Sequence, residues 1–501
     1  MTAALHPAPA FPNDTALLTV AQMELADRLT VAAGVGIETL MDHAGRCVAE
    51  EIKRRYTPAR AVVLCGPGNN GGDGYVTARY LALAGWTVRV AALVPRERLR
   101  GAAAHHAALW SGAVAPLEPA ALDDADLVVD ALFGAGLSRA LDGAAAQTLQ
   151  AVAARRLPMV AVDVPSGLMG DTGVVLGAVP ARLTVTFFRK KPGHLLQPGR
   201  ALCGELVVSD IGTVAQVWAP LEPQAFENEP VLWSAALPGV SAQANKYTRG
   251  HALVSGGSPV TGASRLAARA AARIGAGLTT IAVPVDAWAV YASALTSIMV
   301  SPIRSPDDFE RLLADRRSTG LLIGPGAGVG PATRARSLAM LATGRPTVLD
   351  ADALTSVRDD PETLFRSIVG PCVMTPHDGE FARLFDVGGD KLTRTRNAAR
   401  RSGAVVVLKG SDTVIACADG RAVINANAPA TLATAGSGDV LCGIVLGLLT
   451  QGMEPFLAAA AAVWMHGAAA QAYGPGLLAE DLPDLLPGVL RRLLESARPI
   501  D

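Results

Sequence analysis

The stretch Leu432-Ala-Thr-Ala-Gly-Ser-Gly-Asp-Val-Leu441 joins a glycine turn to the start of a predicted helix. Gly436 and Gly438 permit a tight turn and the close approach of a ligand. The apolar residues that follow recur at helical spacing, so the N–H groups and the dipole at the helix start favour an anion. Asp439 would then lie beside a bound phosphate as a carboxylate able to accept a proton, which phosphoryl transfer to a hydroxyl requires. In isolation these residues are more typical of a capping aspartate behind a turn, so the other loops decide between the two.

Length and composition predict a globular protein of two domains. The chain has 501 residues, more than one hydrophobic core usually holds. Its net charge of −1 gives no reason to expect a nucleic-acid partner or an anionic membrane. Its six cysteines include no Cys-x-x-Cys pair and its N-terminus has no secretory pattern, which suits a reducing cytosol. We therefore expect a cytoplasmic protein.

Strand candidates alternate with helical segments, which predicts the α/β class with two three-layer αβα domains. In the first half the candidate strands are residues 61–65, 87–93, 127–131, 159–164, 183–188 and 205–208. In the second half they are residues 252–255, 279–283, 321–323, 347–350, 372–374, 405–408 and 414–416. The predicted organisation is a flexible leader at 1–18, a Rossmann-like doubly wound domain at 19–215, a linker at 216–245 and a second domain at 246–501.

A glycine-rich segment follows the first strand of the first domain. Gly66-Pro-Gly-Asn-Asn-Gly71 matches G-x-G-x-x-G, but the glycines that come next would fall inside the first turns of a Rossmann helix. We predict a longer phosphate-cradling loop, with Asn69, Asn70 and Asp73 supplying side-chain contacts and the helix starting at Tyr75. A purely structural glycine loop is the alternative.

Two more loops of the first domain follow strands. They are residues 130–140 and Asp163-Val-Pro-Ser-Gly167. Loops after parallel strands gather at one edge of a doubly wound sheet, where ligands bind. We therefore expect Asn70, Asp130 and Ser166 to converge with Asp163, and a set of oxygen ligands suits a hard cation better than zinc. Asp163 has an equally good alternative role, capping the Pro-Ser-Gly turn.

These loops resemble the NAD(P)H-hydrate epimerase domain, over roughly residues 19–215. The motifs that carry the resemblance are Asn-Asn-Gly-Gly-Asp-Gly, Asp-x-x-x-Gly-x-Gly-Leu and Asp-x-Pro-Ser-Gly, in this order. The resemblance implies a hydrated nicotinamide dinucleotide held by Asn69, Asn70, Gly71, Gly72, Asp73, Gly134, Ala135, Gly136, Leu137, Ser138, Arg139, Ala140 and Asp163. It implies a potassium ion on Asn70, Asp130 and Ser166. Asp163 is the candidate acid/base for inverting the hydroxyl-bearing ring carbon, as the ionisable group nearest the expected ring.

Strand ends in the second domain also carry polar loops. They are Gly256-Gly-Ser-Pro-Val-Thr-Gly-Ala263, Gly324-Pro-Gly-Ala-Gly328, Asp350-Ala-Asp-Ala-Leu354, Thr375-Pro-His-Asp-Gly-Glu380 and Lys409-Gly410. All should line one sheet edge together with the turn before Asp439. Singly they are ordinary, since Asp350 could cap a helix and His377 could be structural. Lys409 could serve a phosphate, or pack its stem and leave its charge in water. The P-loop pattern G-x-x-x-x-G-K-[ST] is absent.

This second set resembles the NAD(P)H-hydrate dehydratases of the ribokinase-like fold, over about residues 226–497. The motifs are Lys-Tyr-x-Arg-Gly-His, Gly-Pro-Gly, Asp-Ala-Asp-Ala-Leu, Thr-Pro-His-x-Gly-Glu and Gly-Ser-Gly-Asp-Val-Leu. The resemblance implies that Ala263, Gly326, His377 and Asp439 bind the hydrate. It implies that Lys409, Gly410, Ser411, Asp412, Thr413 and Gly438 bind the adenine nucleotide. Two positions depart from the family pattern, because Ala435 replaces a usual glycine and Asp378 replaces a common proline.

The two resemblances together imply a repair enzyme for hydrated NADH and NADPH. The first domain would interconvert the R and S hydrates, and the second would dehydrate the S form with ADP and Mg²⁺, releasing AMP and phosphate. We expect Asp439 and Asp163 to be the catalytic residues and the protein to be a homo-oligomer. One alternative is a ribokinase-like kinase of a small alcohol. Another is that the first domain only binds a ligand or serves as a scaffold.

Overall fold

The computed structural model describes residues 11–239, 241 and 243–496, which form two compact units. The first unit is Ala16–Ala225, and the second contains the remainder of the described chain. Within this described part, no helix has both the length and the apolarity needed to cross a membrane. The first ten residues, most of the predicted leader, lie outside the described part.

The first unit holds a seven-stranded sheet in the order β4-β3-β2-β5-β6-β7-β8. Its helices are α1 (Val20–Ala32), α2 (Ile37–Arg55), α3 (Asn69–Leu83), α4 (Gly101–Ala108), α5 (Gly143–Ala154), α6 (Gly199–Cys203) and α7 (Trp218–Leu221). The short strand β1 (Ala16–Leu17) lies outside this sheet. The strands of the sheet are β2 (Arg60–Cys65), β3 (Thr87–Ala92), β4 (Val114–Pro116), β5 (Leu127–Ala131), β6 (Met159–Val162), β7 (Leu183–Phe187) and β8 (Glu205–Ser209). All seven strands of the sheet run parallel.

Both faces of this sheet are covered, as the run of buried residues in its strands requires. Val63 and Val129 face a core that includes side chains from α2 and α3. Their neighbours Val62 and Val128 face the opposite core, built with α5. The carboxyl ends of β2, β5 and β6 therefore lie side by side, with their loops at one edge.

The second unit has a larger sheet, which reads β9-β18-β17-β16-β15-β14-β13-β10-β11-β12. Its strands are β9 (Ala225–Glu227), β10 (His251–Ser255), β11 (Leu278–Pro284), β12 (Met299–Ile303), β13 (Gly320–Ile323), β14 (Thr347–Leu349), β15 (Cys372–Met374), β16 (Val405–Leu408), β17 (Val414–Ala416) and β18 (Ala422–Ile424). Strands β10 to β16 all run parallel to one another in the sheet. Strand β17 pairs antiparallel with β16, and β18 pairs antiparallel with β17.

Eleven helices accompany this second sheet in the described chain. They are α8 (Gly262–Arg273), α9 (Trp288–Ala294), α10 (Pro306–Ala314), α11 (Pro331–Ala342), α12 (Ala351–Thr355), α13 (Pro361–Arg366), α14 (Asp378–Leu384), α15 (Lys391–Ser402), α16 (Ser437–Thr450), α17 (Pro455–Tyr473) and α18 (Leu482–Ser496). Buried and mostly apolar, α16 packs closely on α8, since a Cβ at Gly443 would lie 2.2 Å from the Ala267 carbonyl oxygen. The turn at Gly436, with φ +90°, starts α16 and puts Asp439 in its first turn.

The hydrophobic pattern located the strands well. Four strands match the predicted bounds residue for residue: β5, β15, β16 and β17. Five short strands were not predicted: β1, β4, β9, β12 and β18. Prolines interrupt the pattern in β4 and β12, which lie at sheet edges where a missing N–H donor is tolerated.

The predicted phosphate-cradling loop before Tyr75 is wrong, because α3 begins at Asn69. The glycines inside its first turns are explained by close packing. A Cβ at Gly71 would lie 2.0 Å from the Gly66 carbonyl oxygen, and one at Gly72 would lie 2.4 Å from the Met41 sulfur. These glycines let the helix start directly against the end of β2 and against α2.

The predicted boundary segments also differ from the structure. Leu17 and Leu18, at the end of the predicted leader, are fully buried, so this part of the leader is packed rather than loose. Part of the predicted linker belongs to the second unit. Asn228 in this segment donates to the Ala460 carbonyl oxygen at 2.8 Å, and Trp233 is 1 % exposed. Prolines concealed these buried residues, because they break the periodicity on which the prediction depended.

Candidate active sites

A cavity of about 520 Å³ lies at the carboxyl edge of the first sheet. Its lining includes loop residues after β2, β5, β6 and β7, and one face each of α1 and α2. Of the residues predicted to hold the dinucleotide, the wall contains Asn69, Asn70, Asp73, Gly134, Ala135, Gly136, Leu137 and Asp163. Ser138, Arg139 and Ala140 are exposed and lie outside the wall, and Gly71 and Gly72 are buried behind it. The cavity wall thus contains eight of the thirteen residues predicted to hold the dinucleotide.

Asp163 is held in this cavity by its backbone conformation and by three hydrogen bonds. It follows β6 with φ +67°, in the left-handed region that a non-glycine residue rarely adopts. Its carboxylate accepts the Ala135 N–H at 3.0 Å, the Thr186 hydroxyl at 3.0 Å and the Lys191 ammonium at 2.6 Å. Burial alone would raise the pKa of Asp163, but the charge and hydrogen bond of Lys191 hold it at about 2. Asp163 is therefore a fixed anion at neutral pH.

The buried His194 imidazole hydrogen-bonds to the backbone of both Asp163 and Lys191. Its Nδ1 accepts the Lys191 backbone N–H at 2.9 Å, and its Nε2–H donates to the Asp163 carbonyl oxygen at 2.9 Å. Burial, with a contribution from Lys191, lowers the pKa of His194 to about 4. The imidazole is therefore neutral and acts as a brace between the two residues. Neither Lys191 nor His194 was predicted, because no sequence pattern linked them to Asp163.

Asp130 and Ser166, two of the three predicted cation ligands, are in direct contact. Asp130 accepts the Ser166 hydroxyl at 2.6 Å and the Ser166 N–H at 2.8 Å. Asp130 is fully buried, and within the described residues no basic side chain pairs with it. Burial raises the pKa of Asp130. The third predicted ligand, Asn70, is 9 % exposed, and its amide Nδ2 has no hydrogen-bond partner among the described residues.

In the second unit, Asp439 lies beside a cluster of charged groups from neighbouring strand ends. Lys409 donates to the buried Asp350 at 2.8 Å, and its ammonium lies 4.0 Å from the Glu380 carboxylate. A Cβ at Gly438 would be 3.3 Å from the Lys409 ammonium, so this cation faces the turn that starts α16. Burial raises the pKa of Asp439 to about 7, with a further contribution from Asp350. The Lys409 charge is therefore already paired and not in open water.

The two glycine loops predicted to bind the hydrate contact each other. A Cβ at Gly326, which has φ +64°, would lie 3.5 Å from the Ala263 Cβ. Leu266 lies one helical turn after Ala263. A Cβ placed at Gly436 would be 2.9 Å from the Leu266 side chain and 3.8 Å from the Asp439 carboxylate. The structure thus brings the loop at Gly326 and the start of α8 next to the turn before Asp439.

His377 lies at the sheet edge, as predicted, and it also has a structural role. It begins α14 as a cap, and its Nδ1 accepts the N–H groups of Gly379 at 3.0 Å and Glu380 at 3.3 Å. Its side chain is 57 % exposed, and its Nε2 lies 3.4 Å from the Glu380 carboxylate. His377 also pairs in parallel with Lys409 through the backbone, so it lies at the same sheet edge.

The predicted nucleotide loop from Lys409 to Thr413 is held in a fixed shape. The Gly410 N–H donates to the Thr413 hydroxyl at 3.2 Å, and this hydroxyl donates to the Gly410 carbonyl oxygen at 2.8 Å. Lys391, at the start of α15, donates to Asp412 at 2.6 Å and to the Lys409 carbonyl oxygen at 3.4 Å. Lys391 was not predicted, since it is distant in sequence and belongs to a helix.

Comparison with known families agrees with this division. The family model described as NAD(P)H-hydrate dehydratase matches residues 252–486, within the second unit. The family model described as YjeF-related protein N-terminus matches residues 37–193, within the first unit.

Curated relatives match almost the whole chain. The bifunctional NAD(P)H-hydrate repair enzyme Nnr of Moorella thermoacetica is 39 % identical, over 97 % of this chain and 98 % of its own. The protein of the same name from Salinibacter ruber is 38 % identical, over 94 % and 96 %. A crystal structure of the ADP/ATP-dependent NAD(P)H-hydrate dehydratase of Bacillus subtilis is 29 % identical, covering 52 % of this chain and 95 % of its own, with a TM-score of 0.44.

Proposed function

The chain belongs to the family of bifunctional NAD(P)H-hydrate repair enzymes, and from this we propose that each unit carries one of the two activities. The second unit dehydrates the S hydrate of NADH and NADPH at the cluster around Asp439. The first unit interconverts the R and S hydrates at the cavity around Asp163. The observation that carries the proposal is the placement of both aspartates at carboxyl-terminal sheet edges, each among loops that meet in the structure.

Dehydration starts when the ring hydroxyl of the hydrate attacks the terminal phosphate of ADP. Asp439 takes the hydroxyl proton, a task suited to a carboxyl group whose pKa is raised to about 7. Transfer of the phosphoryl group releases AMP. The phosphorylated oxygen then leaves as inorganic phosphate, and the adjacent ring carbon loses a proton to solvent, which restores the C=C bond of the dihydronicotinamide ring. Because the N–H groups of the first turn of α16 surround this position, they stabilise the charge that develops on the phosphate.

Nucleotide binding is assigned to the loop from Lys409 to Thr413 together with Gly438. The loop is already held by Lys391, so little ordering is required when ADP binds. Ala263, Gly326 and His377 would contact the hydrate, from loops that lie next to Asp439. The cluster is rich in carboxylate oxygens, which suits Mg²⁺ delivered with the nucleotide phosphates. When bound, Mg²⁺ would neutralise negative charge on the nucleotide phosphates.

A coupled assay separates this activity from that of a small-alcohol kinase. With S hydrate, ADP and Mg²⁺, the dehydratase regains the absorbance of reduced nicotinamide and releases one phosphate for each molecule restored. A kinase would instead accumulate a stable phosphorylated product with no return of absorbance. Accumulation of that product would contradict the proposal.

Epimerisation is assigned to the first unit, with Asp163 as the acid/base of one cavity wall. Asn69, Asn70, Asp73 and the loop from Gly134 to Leu137 would hold the substrate, since all line the cavity. The test uses the full chain without ADP, so that only interconversion is followed. Starting from pure R hydrate, the S hydrate should appear faster than it does without protein. An appearance no faster than the spontaneous rate would contradict the assignment.

The proposed potassium ion would lie beside this cavity, where Asn70 lines the wall and Ser166 bonds to the wall residue Phe133. Asp130 is a buried carboxylate with no basic partner in the described chain, and Ser166 and Asn70 offer further oxygen atoms. Oxygen ligands of this kind are those that a hard cation prefers. The ion would compensate the charge of Asp130 and fix the loop after β5. Epimerisation should therefore be faster in K⁺ than in Li⁺ at equal ionic strength, whereas equal rates would contradict this site.

A further inference from the structure

Helix α1 forms a wall of the epimerase cavity and presents two carboxyl groups to it. Val20, Met23, Glu24 and Asp27 all line the cavity, and their spacing places them on one face of the helix. This helix precedes residues 37–193, the part of the chain that matches the family model of the first unit. Its contribution to the site is therefore not assigned by that match, nor was it predicted from the sequence.

Asp27 is the inner of the two carboxyl groups on this wall. It is half-buried, and it makes no hydrogen bond or ion pair within the described chain. The charged and titratable groups that face it are Lys191, Asp163, Asp73 and Glu24. Burial raises the pKa of Asp27 despite the opposing charge of Lys191, because Lys191 is already paired with Asp163 at 2.6 Å. Of the four carboxyl groups that line the cavity, Asp163 is thus a permanent carboxylate, whereas Asp27 on the α1 wall and the buried Asp73 retain their protons more readily.

Helix α1 is also held firmly in place, so its carboxyl groups have a defined position. Thr19 caps the helix by accepting the Gln22 N–H at 3.2 Å. The Val20 N–H donates to Asp171 at 2.7 Å, and the Gln22 amide donates to the Leu221 carbonyl oxygen at 2.9 Å. These bonds anchor the helix start at the loop that holds Asp171 and at the end of α7. A preorganised side chain is the kind that acid–base catalysis uses.

The chemistry of the substrate requires two such groups. Adding water to a dihydronicotinamide places the hydroxyl on the carbon next to the ring nitrogen, because that nitrogen stabilises the cation formed on protonation. The configuration of this carbon inverts if the hydroxyl leaves as water and another water adds to the opposite face. Departure needs a proton donor on one side, and addition needs a proton acceptor on the other.

We propose that Asp27 is a catalytic residue of the epimerase, acting from the α1 wall while Asp163 acts from the sheet edge. The inference rests on the assignment of epimerisation to the first unit. Asp27 gives its proton to the hydroxyl oxygen, the C–O bond breaks with its electron pair, and the nitrogen lone pair forms a C=N bond. Water then adds to the opposite face, the C=N pair returns to nitrogen, and Asp163 takes the surplus proton. Solvent returns a proton to Asp27 and removes the one on Asp163, and the reverse reaction uses the same steps backwards.

The test compares Asp27→Asn with Asp124→Asn in the full chain. Asparagine keeps the shape of the side chain but cannot donate the acidic proton. Asp124 is an exposed residue outside the cavity, with φ +59°, a conformation that asparagine tolerates well. We expect Asp27→Asn to lower kcat for interconversion about 100-fold or more, with KM changed less than about 3-fold. Asp124→Asn should equal wild type. Both variants should dehydrate S hydrate at the wild-type rate, and chemical denaturation should show that the first unit unfolds at the wild-type midpoint in both.

Two further readouts distinguish proton donation from a structural role. In wild type, kcat for interconversion should fall as pH rises through the pKa of Asp27, and Asp27→Asn should lack this decline. In H₂¹⁸O each inversion should also exchange the hydroxyl oxygen with solvent.

Several results would overturn the inference. They are a wild-type rate in Asp27→Asn, a loss confined to KM, an unchanged pH profile, or inversion without oxygen exchange. Wild-type protein that fails to interconvert the hydrates would overturn the epimerase assignment as well, so the two failures can be told apart.

Discussion

The two aspartates at the two sheet edges differ chiefly in the position of the nearest lysine. In the first unit Lys191 bonds directly to Asp163 at 2.6 Å, and the pKa of Asp163 is about 2. In the second unit Lys409 bonds to Asp350 instead, and Asp439 is left with burial and neighbouring carboxylates that raise its pKa to about 7. Both sites lie at a sheet edge, but Asp163 directly follows strand β6, whereas Asp439 lies in the first turn of helix α16.

The residue with which the lysine pairs therefore determines whether the aspartate can exchange a proton near neutral pH. An aspartate paired with a buried cation stays charged at neutral pH, so it orients groups and accepts protons only from strong acids. An aspartate whose neighbouring cation is occupied elsewhere can exchange protons near neutral pH, as a base for an attacking hydroxyl must. The first unit would then need another proton donor, and the second would not.

The largest effect is expected for the substitution Asp163→Ala. It should abolish epimerisation and leave dehydration of S hydrate at the wild-type rate, because the two sites share no residue. It should also lower the free energy of unfolding of the first unit by about 3 kcal/mol, since Lys191 would be buried without a partner. Interconversion assays and chemical denaturation check both effects. A parallel loss of dehydration would mean that the sites are not independent.

The matching change in the second unit is Asp439→Asn. Removal of the general base should lower the dehydration rate about 100-fold to 10,000-fold and leave epimerisation unchanged. The free energy of unfolding at pH 8 should stay the same or rise, because a carboxyl group with a raised pKa opposes folding above that pKa. Stability that falls as it does in Asp163→Ala would show that Asp439 is also paired, and the contrast between the two aspartates would then be wrong.

The pH dependence of dehydration tests the same difference between Asp439 and Asp163. Asp439 must be deprotonated to act as a base, and its pKa is about 7. The kcat/KM for S hydrate should therefore rise about ten-fold for each pH unit below 7 and level off above it. Asp163 is already ionised throughout this range, so epimerisation should show no such rise. A rise in both activities would contradict the different roles.

Two glycines offer a smaller, matched test. A Cβ at Gly134 would lie 3.1 Å from the Asp163 carboxylate, and one at Gly438 would lie 3.3 Å from the Lys409 ammonium. The carboxylate is fixed by three hydrogen bonds, whereas the ammonium ends a flexible side chain. Gly134→Ala should therefore lower epimerisation more than Gly438→Ala lowers dehydration, roughly ten-fold against a few-fold. Steady-state rates of both activities check the order, and the reverse order would contradict it.

Much of both sites could be predicted because strand ends are visible in the sequence. Buried strands appear as apolar runs, and the rule that loops after parallel strands share one edge brought Asn70, Asp130 and Ser166 together with Asp163. The same rule placed Lys409 near Asp439. The exact extent of each loop could not be predicted, since helix α3 starts where close packing on Gly66 permits, and sequence spacing does not report that contact.

The charge partners could not be predicted, and they determine the chemistry. Lys191 reaches Asp163 from 28 residues away, and Lys409 reaches Asp350 from 59 residues away. No periodicity connects such positions, because their distance depends on the register of neighbouring strands. Asp27 was missed for a similar reason. It lies on an ordinary capped helix whose inner face becomes a cavity wall only when the unit folds.

The most direct test of two separate sites is complementation between variants of the full chain. A mixture of R and S hydrate is incubated with ADP, Mg²⁺ and either Asp163→Ala, Asp439→Asn or both proteins together. The account predicts that Asp163→Ala restores only the S fraction, apart from spontaneous conversion, that Asp439→Asn restores neither, and that the two together restore all of it at the rate of wild type within a small factor. If the mixed variants restore no more than Asp163→Ala alone, the two activities do not reside in separate sites, and the account is contradicted.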